Sequence, residues 1–201
     1  MHSKIIATSA ACLILAGCFG GHTSPKSRFY GLYTPAIENQ TRGPANVTNI
    51  VIDSVTVPQS VSRPQMVMRQ PDSTEFTVAE FDRWIEGLDN ALPVTISENM
   101  NAYAKNISAR PARVGVRKAA KYNVAVEFVR FDTVADGDVT LAAWWMITDN
   151  HGDVIVQKKN TFSAPTPMKS GTPDFDEIVA TQSKLVAKLS YRIADTISEL
   201  K

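Results

Sequence analysis

The stretch YNVAVEFVRFDTVADGDVTLAAWWMITDNHGDVIVQKKNTF, residues 122–162, decides the fold of this chain. Apolar and polar residues alternate from Tyr122 to Phe128, which is typical of a strand with one buried face. Two segments rich in Asp and Gly, 135–138 and 149–153, divide the stretch into three runs and favour tight turns. The stretch therefore predicts a three-stranded antiparallel meander.

The middle run, from Val139 to Ile147, is apolar on both faces. A strand of this kind needs cover, so we expect it in a central position with helices packed on one face. Trp144 and Trp145 are adjacent within it and must point to opposite faces. One indole is expected in the core. The other is a candidate for a partner-binding or lipid-facing patch, because an exposed tryptophan needs cover.

Strands are also predicted before the meander, from segments rich in β-branched and aromatic residues. Their ranges are Arg28 to Tyr33, Asn49 to Val57 and Gln65 to Gln70, and residues 75–78 predict a small edge piece. Asp53 and Ser54 interrupt the second strand and indicate a bulge. Residues 108–113 contain breakers and are expected to form an irregular segment before the meander.

The spacing of Thr77 and Glu80 matches a capping box and predicts that a helix begins there. Its buried face would carry four apolar residues at helical spacing, with Trp84 in the core: Phe81, Trp84, Ile85 and Leu88. Pro93 is expected to break or kink this helix. A second apolar stripe continues to residue 107, so two consecutive helices and one bent helix fit equally well.

The last helix is predicted to begin at Thr172 and Pro173, which would supply a cap and a proline in the first turn, and to end near Leu200. The element order is then ββ(β)-α-βββ-α. We expect an α+β fold in which helices pack on a mixed or antiparallel sheet, and residues 28–201 form a single domain.

The N-terminus predicts a signal peptide over residues 1–17. Lys4 is followed by an apolar run of roughly eleven residues, which is shorter than the ~20 of a membrane-spanning helix. The segment Leu15-Ala16-Gly17-Cys18 resembles the lipobox of bacterial lipoproteins, which implies an N-acyl diacylglycerol group on Cys18. The alternative is an ordinary cysteine after a plain signal peptide. Residues 18–27 are rich in Gly, Ser and Pro and predict a flexible tether.

By the same resemblance, Phe19 replaces the aspartate that retains lipoproteins in the inner membrane. This implies that the chain is anchored in the outer membrane with its body facing the periplasm.

The composition excludes several classes of function. The chain has 21 Lys+Arg and 20 Asp+Glu, a balance that argues against nucleic-acid binding. Its two cysteines, Cys12 and Cys18, fall in the signal peptide and at the lipidation position, so no thiol remains for catalysis, a metal or a disulfide. His22 and His151 lack the spacing of metal ligands. We therefore expect neither an enzyme nor a metal or other cofactor beyond the lipid.

Four segments resemble the PqiC family of ABC-type transport auxiliary lipoproteins. They are RFYGL at 28–32, VTVPQSVSRPQMVMR at 55–69, DRW at 82–84 and VEFVRFD at 126–132. The resemblance implies an accessory subunit of a transport system that includes a periplasmic MCE-domain protein, which carries phospholipid between the two membranes. It also implies that the lipoprotein docks that conduit to the outer membrane, and it is compatible with a ring of identical subunits.

The segment Arg63-Pro64-Gln65 is a candidate for partner binding, because an arginine at a proline-fixed turn presents a planar set of donors. The favoured alternative is a structural turn in which the arginine caps a carbonyl group.

Two functions remain open after the sequence alone. The first is an adaptor that acts through protein contacts. The second is a lipid-binding carrier with an apolar pocket between the sheet and the terminal helix. A hydrolase finds no support, since the chain contains neither a Gly-x-Ser-x-Gly elbow nor a histidine placed as a base.

Overall fold

The computed structural model describes residues 25–36, 47–112 and 120–200. These residues form two helices on one large sheet and a small two-stranded hairpin. The strands, in chain order, are β1 (Arg28–Tyr30), β2 (Thr48–Thr56), β3 (Gln65–Arg69), β4 (Phe76–Trp84), β5 (Ile107–Pro111), β6 (Tyr122–Val134), β7 (Asp138–Asp149), β8 (Val154–Pro165), β9 (Met168–Lys169) and β10 (Thr172–Pro173). The helices are α1 (Leu88–Tyr103) and α2 (Phe175–Glu199).

The sheet is organised around β6. On one side β6 pairs with β7 along most of its length in antiparallel orientation, and β8 lies outside β7. On the other side the first half of β6 pairs with β2, followed by β5, and its end pairs with β3, followed by β4 and β1. The meander of β6, β7 and β8 is confirmed, and β7 lies inside the sheet as its apolar character predicts. The mixed sheet and the helices confirm the α+β class.

Both helices pack on the same face of the sheet. Alternate residues of β7, including Leu141 and Trp145, point into this layer and are buried. The predicted stripe of the terminal helix, including Val186 and Ile193, covers them. Helix α1 packs beside α2 and over β2 and β5, so a continuous apolar core fills the space between the layers. The opposite face of the sheet, which we call the open face, has no helix on it among the described residues.

The helix predicted from Thr77 is wrong, because residues 76–84 form β4. This strand lies between β3 and β1 and hydrogen-bonds to both, so it is not an edge piece. Trp84 is buried as predicted, whereas Phe81 and Ile85 are 38% and 65% exposed. Three extra residues of β4 lie opposite the step from Gln65 to Met66 of β3 and form a bulge. The bulge reverses the face of the sheet on which the following residues of β4 lie, and this produced the helix-like spacing of apolar residues.

The first helix begins instead at Leu88, after Gly87. Pro93 lies inside this helix without dividing it, in the second turn, where it withholds a single backbone donor from the carbonyl four residues earlier. The Ser97 hydroxyl donates to the Pro93 carbonyl at 2.8 Å. The second apolar stripe, including Ile96 and Met100, is buried as expected.

The breaker segment is also partly wrong, since Ile107–Pro111 forms β5. It pairs in parallel with β2 at an edge of the sheet. An edge position tolerates Pro111, because the missing donor can face away from the neighbouring strand. Residue 113, the end of the predicted segment, lies outside the described residues.

Smaller differences occur at element ends. The bulge at Asp53 in β2 is confirmed by the register shift between Ile52 and Ser54. Helix α2 is capped by Asp174, whose side chain accepts from the Asp176 N–H at 3.2 Å, whereas Thr172 and Pro173 belong to β10. The first strand is shorter than predicted and ends at Tyr30. The predicted signal peptide and most of the predicted tether lie outside the described residues.

Strand β1 is joined to the domain by a polar cluster that makes a pH-dependent contribution to stability. The Tyr30 hydroxyl donates to Asp82 Oδ1 at 3.0 Å, and Arg28 Nε lies 2.7 Å from the same oxygen. Burial, together with this hydrogen bond, raises the pKa of Tyr30 to about 12. Because the neutral phenol is favoured in the fold, the stabilisation is complete below pH 10 and is lost as the pH rises toward 12.

We therefore expect the wild type to lose more stability than Tyr30→Phe between pH 10 and pH 12. A shift of this size in a partly exposed group corresponds to about 1 kcal/mol after solvent screening. Urea unfolding of both proteins at a series of pH values measures it. Parallel losses in the two proteins would show that the Tyr30–Asp82 bond contributes nothing.

Candidate interaction surface

Trp144 is an exposed aromatic residue on the open face. It lies in a row that crosses four strands in register: Thr56 of β2, Glu127 of β6, Trp144 of β7 and Lys159 of β8. The indole is 42% exposed. The Lys159 ammonium lies 5.6 Å from its ring centroid, within the range of a cation–π contact. The indole is thus held by its neighbours and still available to another molecule.

A shallow depression of about 260 Å³ opens beside this row. Its floor includes the next row across the same four strands, which is made of Ser54, Ala125, Met146 and Gln157. The lining combines the Trp144 and Met146 side chains with hydroxyl, amide and carboxylate groups. A depression of this size and openness accepts a protruding side chain of a partner, whereas a drug-sized ligand is usually enclosed in a deeper cleft.

Trp145 lies on the opposite face, which confirms that the two neighbouring indoles diverge. It is 1% exposed, and its Nε1–H donates to Asn160 Oδ1 at 2.8 Å. This bond satisfies the one polar atom that the indole takes into the core. Trp145 therefore stabilises the fold, and Trp144 is the member of the pair that can contact a partner.

A second depression of about 190 Å³ on the open face was not anticipated from the sequence. Two exposed apolar side chains, Phe76 and Val129, line it together with Arg130 and Asp132. Val129 is the bulged residue of β6, since the register passes from Phe128 directly to Arg130. Regular alternation after Phe128 already turns Val129 outward, whereas the bulge places Arg130 and Asp132 on that same face, and the sequence gives no sign of this change.

An ion-pair cluster borders the second depression. The Arg130 guanidinium donates to both Asp132 oxygens at 3.0 Å, which raises the pKa of Arg130. Arg69 Nε approaches the same carboxylate at 3.9 Å. The Asp132 carboxylate thus interacts with two arginines. This agrees with a structural role for Asp132 in a charged rim around the depression.

The segment Arg63-Pro64-Gln65 lies at the entry to β3. The Pro64 carbonyl accepts from the Trp84 N–H at 2.7 Å, and Gln65 pairs with Arg83 of β4. Within the described ranges, the exposed Arg63 side chain makes no hydrogen bond or ion pair, so it does not cap a carbonyl there. In the described ranges no hydrogen bond or ion pair joins this segment to Trp144, which pairs with Glu127 of β6 and with Lys159 of β8.

The carrier hypothesis requires an apolar pocket between the sheet and α2. A cavity lined by Trp84, Leu88 and Gln182 has a volume of about 10 Å³, the space of roughly one water molecule. The Gln182 Oε1 atom is buried there without a hydrogen-bond partner. Such a cavity suits a polar guest of atomic size and is far too small for an acyl chain.

The described ranges contain no group of three or more His, Cys, Asp or Glu side chains that could hold a metal ion. Neither helix in the described part of the chain is long and apolar enough to cross a membrane.

Comparison with known proteins places the chain in a family. A model of the ABC-type transport auxiliary lipoprotein component matches residues 30–194. No curated protein matches the sequence significantly. A solved structure of an uncharacterized protein aligns with a TM-score of 0.69 and 18% identity, covering 86% of this chain and 99% of that chain. A DUF330 protein from Xanthomonas campestris aligns with a TM-score of 0.62 and 14% identity, covering 84% and 93%.

The two structures share the fold, and the family model spans both candidate elements, residues 63–65 and 144–145. This agrees with the resemblance to the PqiC family that the four sequence segments indicated. The chain belongs to the family of ABC-type transport auxiliary lipoprotein components.

Proposed function

We propose that this chain is a lipid-anchored, non-catalytic accessory subunit of an MCE-type intermembrane lipid transport system. Cys18 carries the acyl groups, the anchor lies in the outer membrane, and the body faces the periplasm. There it docks the MCE-domain protein that carries phospholipid and so helps to maintain the envelope. The family membership supports a part in transport, and the lipobox resemblance supports the anchor.

The observation that carries the proposal is the exposed Trp144 beside its depression on the open face. Tryptophan is among the residues that contribute most at protein interfaces, above all where it meets a complementary pocket and polar groups exclude water around it. Here Glu127 and Lys159 flank the indole on both sides, which matches an apolar centre with a charged rim. We assign this region to the MCE-domain partner, and Arg63, Pro64 and Gln65 to a second contact with the transport complex.

The proposal includes a ring of identical subunits. Strand β8 is a long sheet edge with most of its residues exposed, and the unpaired backbone groups of an edge can bind another chain. Native mass spectrometry of the purified protein is expected to show one discrete oligomer above the monomer. A monomer at all concentrations would remove the ring from the proposal.

The proposal is tested by co-purification from crosslinked envelopes. Trp144→Ala is expected to reduce recovery of the MCE-domain protein at least tenfold, since loss of an interface tryptophan costs about 2 kcal/mol or more. Val94→Ala is the matched control, because Val94 is 43% exposed but lies on α1, away from the open face. Equal recovery with both variants would contradict the assignment of Trp144.

The carrier alternative predicts a different result in the same preparation. A carrier would retain one phospholipid per chain after the anchor lipids are accounted for, and native mass spectrometry would detect it. The small cavity beneath α2 favours the adaptor, so we expect no stoichiometric phospholipid.

A further inference from the structure

A third exposed apolar surface lies at the corner where β1 joins the sheet. We call Phe29 and Ile85 the entry corner. Phe29 of β1 pairs in register with Arg83 of β4, and the Ile85 N–H donates to the Tyr30 carbonyl at 2.8 Å. A Cβ atom on Gly31 would lie 3.4 Å from Ile85 Cγ2, so Ile85 lies over Gly31 beside Phe29. In a parallel pair these positions share one face of the sheet.

The Phe29 and Ile85 side chains of the entry corner are unusually exposed for large apolar residues. Phe29 is 59% exposed and Ile85 is 65% exposed, although each has neighbours that fix its backbone. Phe81, two residues before Arg83 on the same strand, adds an aromatic ring that is 38% exposed. Arg83 pairs in register with Phe29, so its side chain leaves the same face of the sheet, and the exposed Lys26 lies three residues before Phe29. A combination of apolar and basic side chains is typical of a protein surface that rests among lipid headgroups.

The length of chain between Cys18 and β1 limits how far this corner can lie from the lipid leaflet. Ten residues lie between Cys18 and Phe29, and the eleven residue steps that join them span roughly 40 Å even when fully extended. A lipid on Cys18 therefore keeps the entry corner within reach of the leaflet, and the short connection raises the effective concentration of the leaflet at this corner. The edge formed by β8 lies five strand spacings away, roughly 24 Å across the sheet.

We propose that the body of the protein rests on the phospholipid leaflet through the entry corner, with the Phe29 and Ile85 side chains inserted among the headgroups. This inference rests on the lipid anchor of the proposed function. Contact at this corner would fix the orientation of the domain on the membrane. Trp144 lies on the same open face, four strand spacings away on β7, so about 19 Å of sheet separates it from the inserted side chains.

The test uses the lipidated full chain in vesicles of phosphatidylethanolamine and phosphatidylglycerol. No cysteine follows Cys18, so Ile85→Cys introduces a single site for a fluorescent label. Val154→Cys is the matched control, since Val154 is 57% exposed and lies at the start of β8. Vesicles with brominated acyl chains are expected to quench most of the emission at position 85 and to leave the emission at position 154 unchanged.

The remaining outcomes are distinct. If the protein floats with the vesicles but position 85 is not quenched, the entry corner does not touch the leaflet and only this inference fails. A blue shift at position 85 without bromine quenching would show that a second copy of the chain covers the corner, which also overturns it. If the protein does not float, the lipid anchor and the proposed function fail as well. Phe29→Cys provides the same measurement at a second exposed site.

Discussion

Trp145→Ala is expected to lower the free energy of unfolding by about 3 to 5 kcal/mol, the usual cost of removing a large aromatic side chain from a core. The indole is 1% exposed, and its removal also leaves Asn160 without the hydrogen bond from Nε1. Chemical denaturation of the mature domain measures the change.

The neighbouring residue provides the control. Trp144→Ala removes a side chain of the same size from the adjacent position, but one that is 42% exposed, so we expect a loss of less than about 1 kcal/mol. Similar losses for the two variants would show that the faces of β7 are assigned incorrectly.

Cys18→Ser is expected to move the protein from the membrane fraction to the soluble fraction without unfolding it. Each buried methylene contributes about 0.8 kcal/mol, and two or more acyl chains hold a protein stably, so their complete loss removes the anchor. Fractionation after a carbonate wash measures the distribution, and circular dichroism of the released protein tests whether the fold is retained.

Cys12→Ser is the matched substitution for this experiment, because Cys12 lies in the apolar run of the predicted signal peptide. It is expected to leave both lipidation and localisation unchanged. If Cys18→Ser protein stayed in the carbonate-washed membranes, lipid at Cys18 could not be what anchors the chain.

The meander could be predicted from the sequence because local signals agreed with one another. Alternation in β6, the turn residues at 135–138 and the two-sided apolar run of β7 all favour the same strands, and neighbouring segments pair with each other. The terminal helix was equally clear, since the stripe that includes Val186 and Ile193 extends over many turns.

The helix predicted at Thr77 failed because tertiary pairing overrode a local pattern. The spacing of Phe81, Trp84 and Ile85 suits a helix, yet β4 is held between β1 and β3, which are distant from each other in the sequence. Once the β4 bulge is included, Trp84 faces the core and Ile85 faces outward. No local signal encodes a parallel pairing of residues 28–30 with residues 82–84.

At the candidate surface, too, features set by local strand geometry could be predicted, whereas features set by long-range strand pairing could not. The divergence of Trp144 and Trp145 follows from the geometry of any strand, so it could be predicted. The depression at Phe76 and Val129 depends on a bulge, and the entry corner depends on the pairing of β1 with β4. Both join residues whose proximity is decided only by the assembled sheet.

We propose that the open face around Trp144 binds the MCE-domain protein of a transport system. The decisive experiment places a photo-crosslinking amino acid at position 144 in living cells with an intact envelope. We expect a covalent product with an MCE-domain protein from position 144 and none from position 94 on α1. If no such product forms at position 144, in cells where the protein is present at normal levels in the membrane, the open face does not bind this partner.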